Sequence, residues 1–177
     1  MLSRSKRGEL RAPPRIYRLL LSAHIVVSVG WLGIVFAKLV LGLSARTSDA
    51  PEVSDALYLS MEVVNVSFPP AAVATVVTGV LLSLGTKWGI LRHYWVATKL
   101  VLTVGVIVTG IALVDRLVRQ SISAPSGRSV ADGTILGIAS TPALLISLSV
   151  AHVLMLGVAT VVSVYKPWGR ARLGRGT

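Results

Sequence analysis

Cysteine is absent from this 177-residue sequence, which excludes disulfides, iron–sulfur clusters, thiolate metal sites and thiol catalysis. Charge is scarce too. Asp, Glu, Lys and Arg make up 14% of the chain, about half of what a soluble domain carries, and acids are the rarer sign, 7 against 18 basic residues. Motifs of soluble enzymes are missing: there is no phosphate-binding Gly-Lys-Ser/Thr loop, no His-Glu-x-x-His pair and no Gly-x-Ser-x-Gly elbow. What the chain has instead is 53% hydrophobic residues gathered into long runs between clusters of charge. That pattern excludes intrinsic disorder and an ordinary water-soluble domain, and predicts an all-α polytopic membrane protein.

Four segments are long enough, at about 20 apolar residues each, to cross the hydrocarbon of a bilayer. The predicted four-transmembrane-helix bundle spans 17–43, 61–84, 94–114 and 142–164, with basic tails over 1–16 and 165–177. Leu19 to Ala37 and Val63 to Thr86 hold no Asp, Glu, Lys or Arg, and the third span is broken only by Lys99. The fourth lies in an uncharged stretch too long for one crossing. Its start is set at Thr141-Pro142, where a hydroxyl can cap the helix and proline occupies the first turn.

Basic residues are retained on the cytoplasmic side. Arg4, Lys6, Arg7, Arg11, Arg15 and Arg18 precede the first span, Lys87 and Arg92 join spans two and three, and Lys166, Arg170, Arg172 and Arg175 follow the fourth. The opposite side has Arg46, Arg116, Arg119 and Arg128 among five acids. A cell-membrane location with both termini in the cytoplasm is therefore expected. The net charge of +11 is what such orientation requires, so nucleic acid is not expected as a partner, whereas contact of the tails with anionic membrane lipids is. Trp88, Trp95, Tyr165 and Trp168 form an aromatic belt at the inner interface.

Between helices in lipid, small residues permit close approach. Ala71, Thr75, Gly79 and Ser83 form one such seam, Ala143, Ser147 and Ala151 a second, and Gly30, Gly33 and Ala37 a third, any of which could also serve a homo-oligomer or a membrane-protein partner. Phe68-Pro69-Pro70 interrupts the second span. The helix after it is too short to cross about 30 Å alone, so a continuous helix from about Met61, kinked at the prolines, is expected, with carbonyls near Asn65 and Val66 deprived of donors.

Titratable groups inside a membrane are costly and mark candidate sites. His24 and Lys99 lie about five residues, or ~7 Å, inside the same face, so they can meet. Their neighbours Ser28, Trp31 and Thr103 complete a candidate ligand site for a carboxylate, a quinone carbonyl or a haem propionate; a hydrogen-bonded contact fixing helix register is the alternative. His24, Ser28, Trp31, Val35 and Lys38 share one helical stripe that should face the bundle. At the outer end Lys38 approaches the level of Glu62 and Asn65, as a structural polar pair or a proton or cation pathway. His152 lies ~20 Å from the inner face, too far from the level of His24 for both to ligate one haem iron. No metal cluster is expected.

The runs HIVVSVGWLG (24–33), LYLSMEV (57–63) and LGTKWGILRHYWVATKL (84–100) resemble an actinobacterial group of integral membrane proteins, the domain of unknown function 2269 type. The resemblance covers most of 17–114 and implies four helices without an assigned activity. A looser likeness reaches the copper-resistance D and four-helix protoporphyrinogen oxidase types, where a histidine in the first helix and a lysine early in the third would correspond to His24 and Lys99. Those relatives imply haem, porphyrin or copper chemistry, with His24 and Lys99 as haem b ligands, although no Met/His-rich copper tract is present. The leading expectation is a ligand- or partner-binding bundle. The alternatives are a haem- or quinone-linked oxidoreductase and a small transporter or channel.

Overall fold

The computed structural model describes residues 3–4, 10–11, 13–85, 94–123, 134–135 and 139–165. Among them the chain is helical apart from short links and two two-residue antiparallel pairings, Ser3–Arg4 with Leu10–Arg11 and Thr134–Ile135 with Ala139–Ser140. The helices are α1 (Pro14–Thr47), α2 (Pro51–Asn65), α3 (Phe68–Leu84), α4 (Tyr94–Thr109), α5 (Asp115–Ser123) and α6 (Thr141–Tyr165), with a π-helical segment at Gly110–Val114 joining α4 to α5. They make up four helical stretches long and apolar enough to cross a membrane, Pro14–Thr47, Pro51–Leu84, Tyr94–Gln120 and Thr141–Tyr165. Trp88 and Trp168, assigned above to the inner aromatic belt, lie outside the described residues.

Each stretch is longer than its expected span. α1 begins at Pro14 because proline is suited to the first turn, where its missing N–H is not needed. The second stretch departs most from expectation. Instead of one kinked helix, the chain breaks at Val66–Ser67, and α2 extends back to Pro51. Pro69 and Pro70 cannot donate to the carbonyls of Asn65 and Val66, so the backbone tightens there, with Ser67 N–H bonded to Val64 O at 3.1 Å. Both prolines then fall in the first turn of α3. At 17 residues, α3 spans ~25 Å, so the end of α2 completes the crossing.

The third stretch widens where α4 ends. Asp115 N–H bonds to Gly110 O, five residues back, which is the π-helical pattern. Phe68 packs against this turn, its ring occupying the space where a side chain at residue 110 would stand: an added Cβ would lie 2.5 Å from Phe68 Cζ.

α1 packs on α2, α3 and α6, α4 on α6, and α5 on α2 and α6, whereas α3 and α4 barely touch. Among the described residues, α2, α5 and the start of α6 pack together at the end away from the chain termini, called here the far end, and α3 and α4 share little contact in the other half. At the far end Ala45, Tyr58, Met61, Val114, Leu117, Val118 and Leu145 form a core; Trp31, Val35, Phe68, Ala72, Val106 and Leu156 form one at mid-height. The outer faces are apolar and bare: Val26, Val63, Val101, Leu154 and Val164 are all exposed, the surface that lipid rather than water would cover.

Two of the expected seams are turned partly outward. Gly30 and Gly33 are exposed, with nothing within 4 Å of an added Cβ, and Ser147 is exposed too. α6 instead buries Leu145, Ser149, His152, Leu156, Ala159 and Val162. The seam on α3 is partly used, since Thr75 is buried and Gly79 lies against His24.

Candidate functional site

The five residues of the α1 stripe point where their spacing placed them. Trp31, Val35 and Lys38 are buried, and His24 and Ser28 line a cavity of about 490 Å³ between α1, α3, α4 and α6 in the terminus half of the bundle. Lys99 and Thr103, one turn apart on α4, line it as well. Tyr17, Leu21, Trp95 and Ser163 line it nearer the terminus end of the bundle, and Trp31, Leu32 and Leu156 nearer mid-height.

His24 and Lys99 share this cavity, each with its own hydroxyl partner. Lys99 Nζ donates to Ser163 Oγ at 2.9 Å and lies 5.6 Å from the centre of the Trp95 ring. His24 Nδ1 is 2.8 Å from Thr78 Oγ1. The hydroxyl of Thr78 has one hydrogen, committed to Ala74 O at 2.7 Å, so it accepts from His24. The imidazole thus carries its proton on Nδ1 and its lone pair on Nε2. Sequence reasoning missed Thr78 and Ser163, because small hydroxyl residues are common in apolar helices and these two are distinguished only by the groups opposite them.

Gly79 allows this arrangement. A Cβ at residue 79 would come within 3.1 Å of His24 Cε1. A single methyl can be accommodated by a few tenths of an ångström, and the helix gains about 0.5–1 kcal/mol when glycine is replaced by alanine. Gly79→Ala is therefore expected to be nearly neutral. Gly79→Val must displace the ring, break the bond to Thr78 and lower stability by about 1 kcal/mol, measured as the unfolding free energy in detergent; equal stability of the two variants would count against this packing.

One further feature marks the cavity. Ser28 Oγ, Trp31 Nε1 and Thr75 Oγ1, on three residues that line it, are buried without a hydrogen-bond partner among the described residues. Trp31 is 1% exposed and Thr75 8%. Unpaired buried groups cost about 1–3 kcal/mol each, and native interiors seldom keep three together. The described lining also contains Lys99 and no carboxylate.

The candidates at the other end form a separate cluster. Lys38 Nζ donates to Asn65 Oδ1 at 2.5 Å and sits 5.1 Å from the Phe68 ring centre. Asn65 Nδ2 donates to Asp115 Oδ1 at 2.9 Å, Arg119 Nε to Asp115 Oδ2 at 3.0 Å, and Arg119 also pairs with Glu62 at 3.3 Å. Lys38 and Glu62 thus belong to one network bridged by Asn65, Asp115 and Arg119, rather than to a face-to-face pair. His152 lies deep in the bundle, where its Nε2 is 2.7 Å from Thr109 Oγ1, which in turn donates to Gly105 O. Phe68 separates the two regions, packed edge-on against Trp31 at 5.7 Å on the cavity side and lying beneath Lys38 on the other. No group of three or more metal-ligating side chains occurs among the described residues.

Four membrane-length apolar helical stretches around buried polar groups are compatible with a multi-pass membrane protein of the helical-bundle class. Comparison with protein-family models, curated proteins and solved structures finds no match to this chain.

Proposed function

We propose that this protein is a multi-pass cell-membrane protein, with both termini cytoplasmic, that binds a lipid-soluble small molecule between α1, α3, α4 and α6. The observation that carries the reading is the trio Ser28, Trp31 and Thr75, whose buried polar atoms have no partner among the described residues and line one cavity. A bound molecule with acceptor oxygens would satisfy them. The volume of about 490 Å³ falls in the range of small-molecule sites. The described residues of α3 and α4 share little contact, and a lipid-soluble molecule would enter from the bilayer between these two helices. The orientation rests on the basic residues of the tails and of the loop between spans two and three. The resemblance to the domain of unknown function 2269 type belongs to the same proposal and adds no activity to it.

A second reading places a haem- or quinone-linked oxidoreductase at the same cavity, favoured by the lone pair left on His24 Nε2. The residues fit a haem only in part. His24 offers one axial nitrogen, but Lys99 is held by Ser163, and His152 is bonded to Thr109 beyond Phe68.

One experiment separates the readings. Full-length protein extracted in mild detergent is examined by absorbance and then by mass spectrometry of its organic extract. A stoichiometric colourless lipid-soluble molecule, lost in the double variant Trp31→Phe/Thr75→Val, is the expected result. A Soret band that vanishes in His24→Ala would favour the second reading, and an empty, folded preparation that takes up no added ligand would overturn both.

A further inference from the structure

Two levels of the cavity carry polar groups that call for different partners. Nearer mid-height, Ser28 and Thr75 share one level, because each is about one helical turn from the bonded pair His24 and Thr78 on antiparallel helices. Thr78, Thr109 and Ser149 commit their hydroxyl hydrogens to the carbonyl four residues back in their own helices, whereas Ser28 and Thr75 do not. Their hydrogens are free for an occupant. Trp31 is one turn further, and its indole N–H, also unpaired among the described residues, can only donate. A single hydroxyl placed here engages all three, accepting from the indole and one side-chain hydroxyl and donating to the other. The second level is that of His24. Its Nδ1 proton goes to Thr78, so Nε2 presents a lone pair that has no hydrogen-bond partner among the described residues. That nitrogen needs a donor. The two levels are about 6 Å apart, the rise of four helical residues, and the cavity walls include the aliphatic side chains of Ile25, Leu32, Val76, Val80 and Leu100.

Resting on the ligand-binding reading above, we infer that the occupant is a para-dihydroxylated aromatic lipid, the reduced form of a quinone, with one hydroxyl donating to His24 Nε2 and the other set among Ser28, Thr75 and Trp31. A para-substituted six-membered ring holds its two oxygens roughly 5–6 Å apart, close to the four-residue rise between the levels. Being rigid, it is ordered at lower entropic cost than a flexible diol. The oxidised form fits less well. Both of its oxygens only accept, so one of them would face the His24 lone pair, whereas the donors at mid-height serve either form. The cavity thus selects hydroquinone over quinone, and the selection resides in His24. A lipid with one hydroxyl engages one level and leaves the other. Lys99 is already engaged with Ser163 and is not called on. The hydrocarbon tail runs between α3 and α4, whose described residues share little contact.

The test uses the full chain in nanodiscs of phosphatidylcholine, with tritiated 2-decyl-1,4-benzohydroquinone, held reduced by dithionite under argon, and tritiated 2-decyl-1,4-benzoquinone as probes, and with uptake by protein-free nanodiscs subtracted. The hydroquinone is expected to bind about 10-fold more tightly than the quinone, the effect of one hydrogen bond to an otherwise unpaired group. His24→Phe should bring that ratio close to one. Trp31→Phe should weaken both forms about 3- to 10-fold and leave the ratio unchanged, since both accept from the indole. The ratio in the unmodified protein stands as a test even where a variant fails to fold. Quinone binding as tight as hydroquinone binding would overturn the inference while leaving a ligand-binding cavity intact. Folded protein that takes up neither probe, yet yields another lipid-soluble molecule in its organic extract, would overturn the inference alone; folded protein that holds nothing would remove the binding reading as well.

Discussion

Asp115→Asn is expected to lower the unfolding free energy by about 3 kcal/mol, while the double variant Lys38→Met/Asp115→Asn recovers to within about 1 kcal/mol of the original protein. The substitution keeps volume and an oxygen that can accept from Asn65, so what it removes is charge. Lys38 is 3% exposed, and with Arg119, Asp115 and Glu62 it forms a cluster of two positive and two negative groups. Neutralising Asp115 leaves one uncompensated positive charge next to the buried ammonium. Removing one partner of a buried ion pair costs about 3–5 kcal/mol, and the lower end applies because Asp115 reaches Lys38 through Asn65 and its side chain is 33% exposed. Removing both partners restores neutrality and leaves the Glu62–Arg119 pair in place. Arg119 has a side chain 65% exposed, so Arg119→Gln should change little, since water already screens it. Equilibrium unfolding of the full chain in detergent micelles measures all four proteins. Additive losses in the double variant would show that the cluster acts through packing and not through charge.

How far the sequence allows this cluster to be read is instructive. Lys38 lies on a helical stripe with Trp31 and Val35, and 3.6-residue periodicity alone turns that stripe inward. Glu62 and Asn65 follow from depth counted along the second span. Asp115 does not, because an acid at the end of an apolar run ordinarily marks the water interface. Its inward role depends on the π-helical turn before it, and that turn packs against Phe68, which arrives from another helix. The same distinction separates the seams. Small residues on one face show where a helix can be approached, but not which neighbour approaches it. α6 turns His152 towards Thr109 and leaves Ser147 outside. The prolines at 69 and 70 were readable as a loss of backbone donors, although whether the chain bends or breaks is decided by the turn at Val66–Ser67. At the cavity, His24 and Lys99 were marked by their types and common depth. Their partners Thr78 and Ser163, and the unpaired state of Thr75, are properties of facing surfaces that a linear pattern does not contain.

Gly110→Val should destabilise the protein by about 3 kcal/mol or more, the upper range for overpacking a filled site. Its first added atom alone would stand 2.5 Å from Phe68 Cζ and 2.9 Å from Cε1, closer than non-bonded carbons approach. Helix propensity cannot offset this, since replacing glycine contributes at most about 1 kcal/mol and a β-branched residue less. Nor can the ring move freely. Phe68 is 2% exposed, held edge-on by Trp31 on the cavity side and covered by Lys38 on the other. Displacing it drives it into the cavity or strips the ammonium of its aromatic neighbour. Shortening the ring relieves the conflict, so Phe68→Leu, itself costing about 1–2 kcal/mol through lost packing, should be much less harmful in the Gly110→Val background than in the original protein. The coupling expected from the double-mutant cycle is at least about 1 kcal/mol, within the range for residues in contact. A cycle that closes with no coupling would mean that the π-helical turn arises within α4 and α5 themselves, and that Phe68 merely occupies space left beside it.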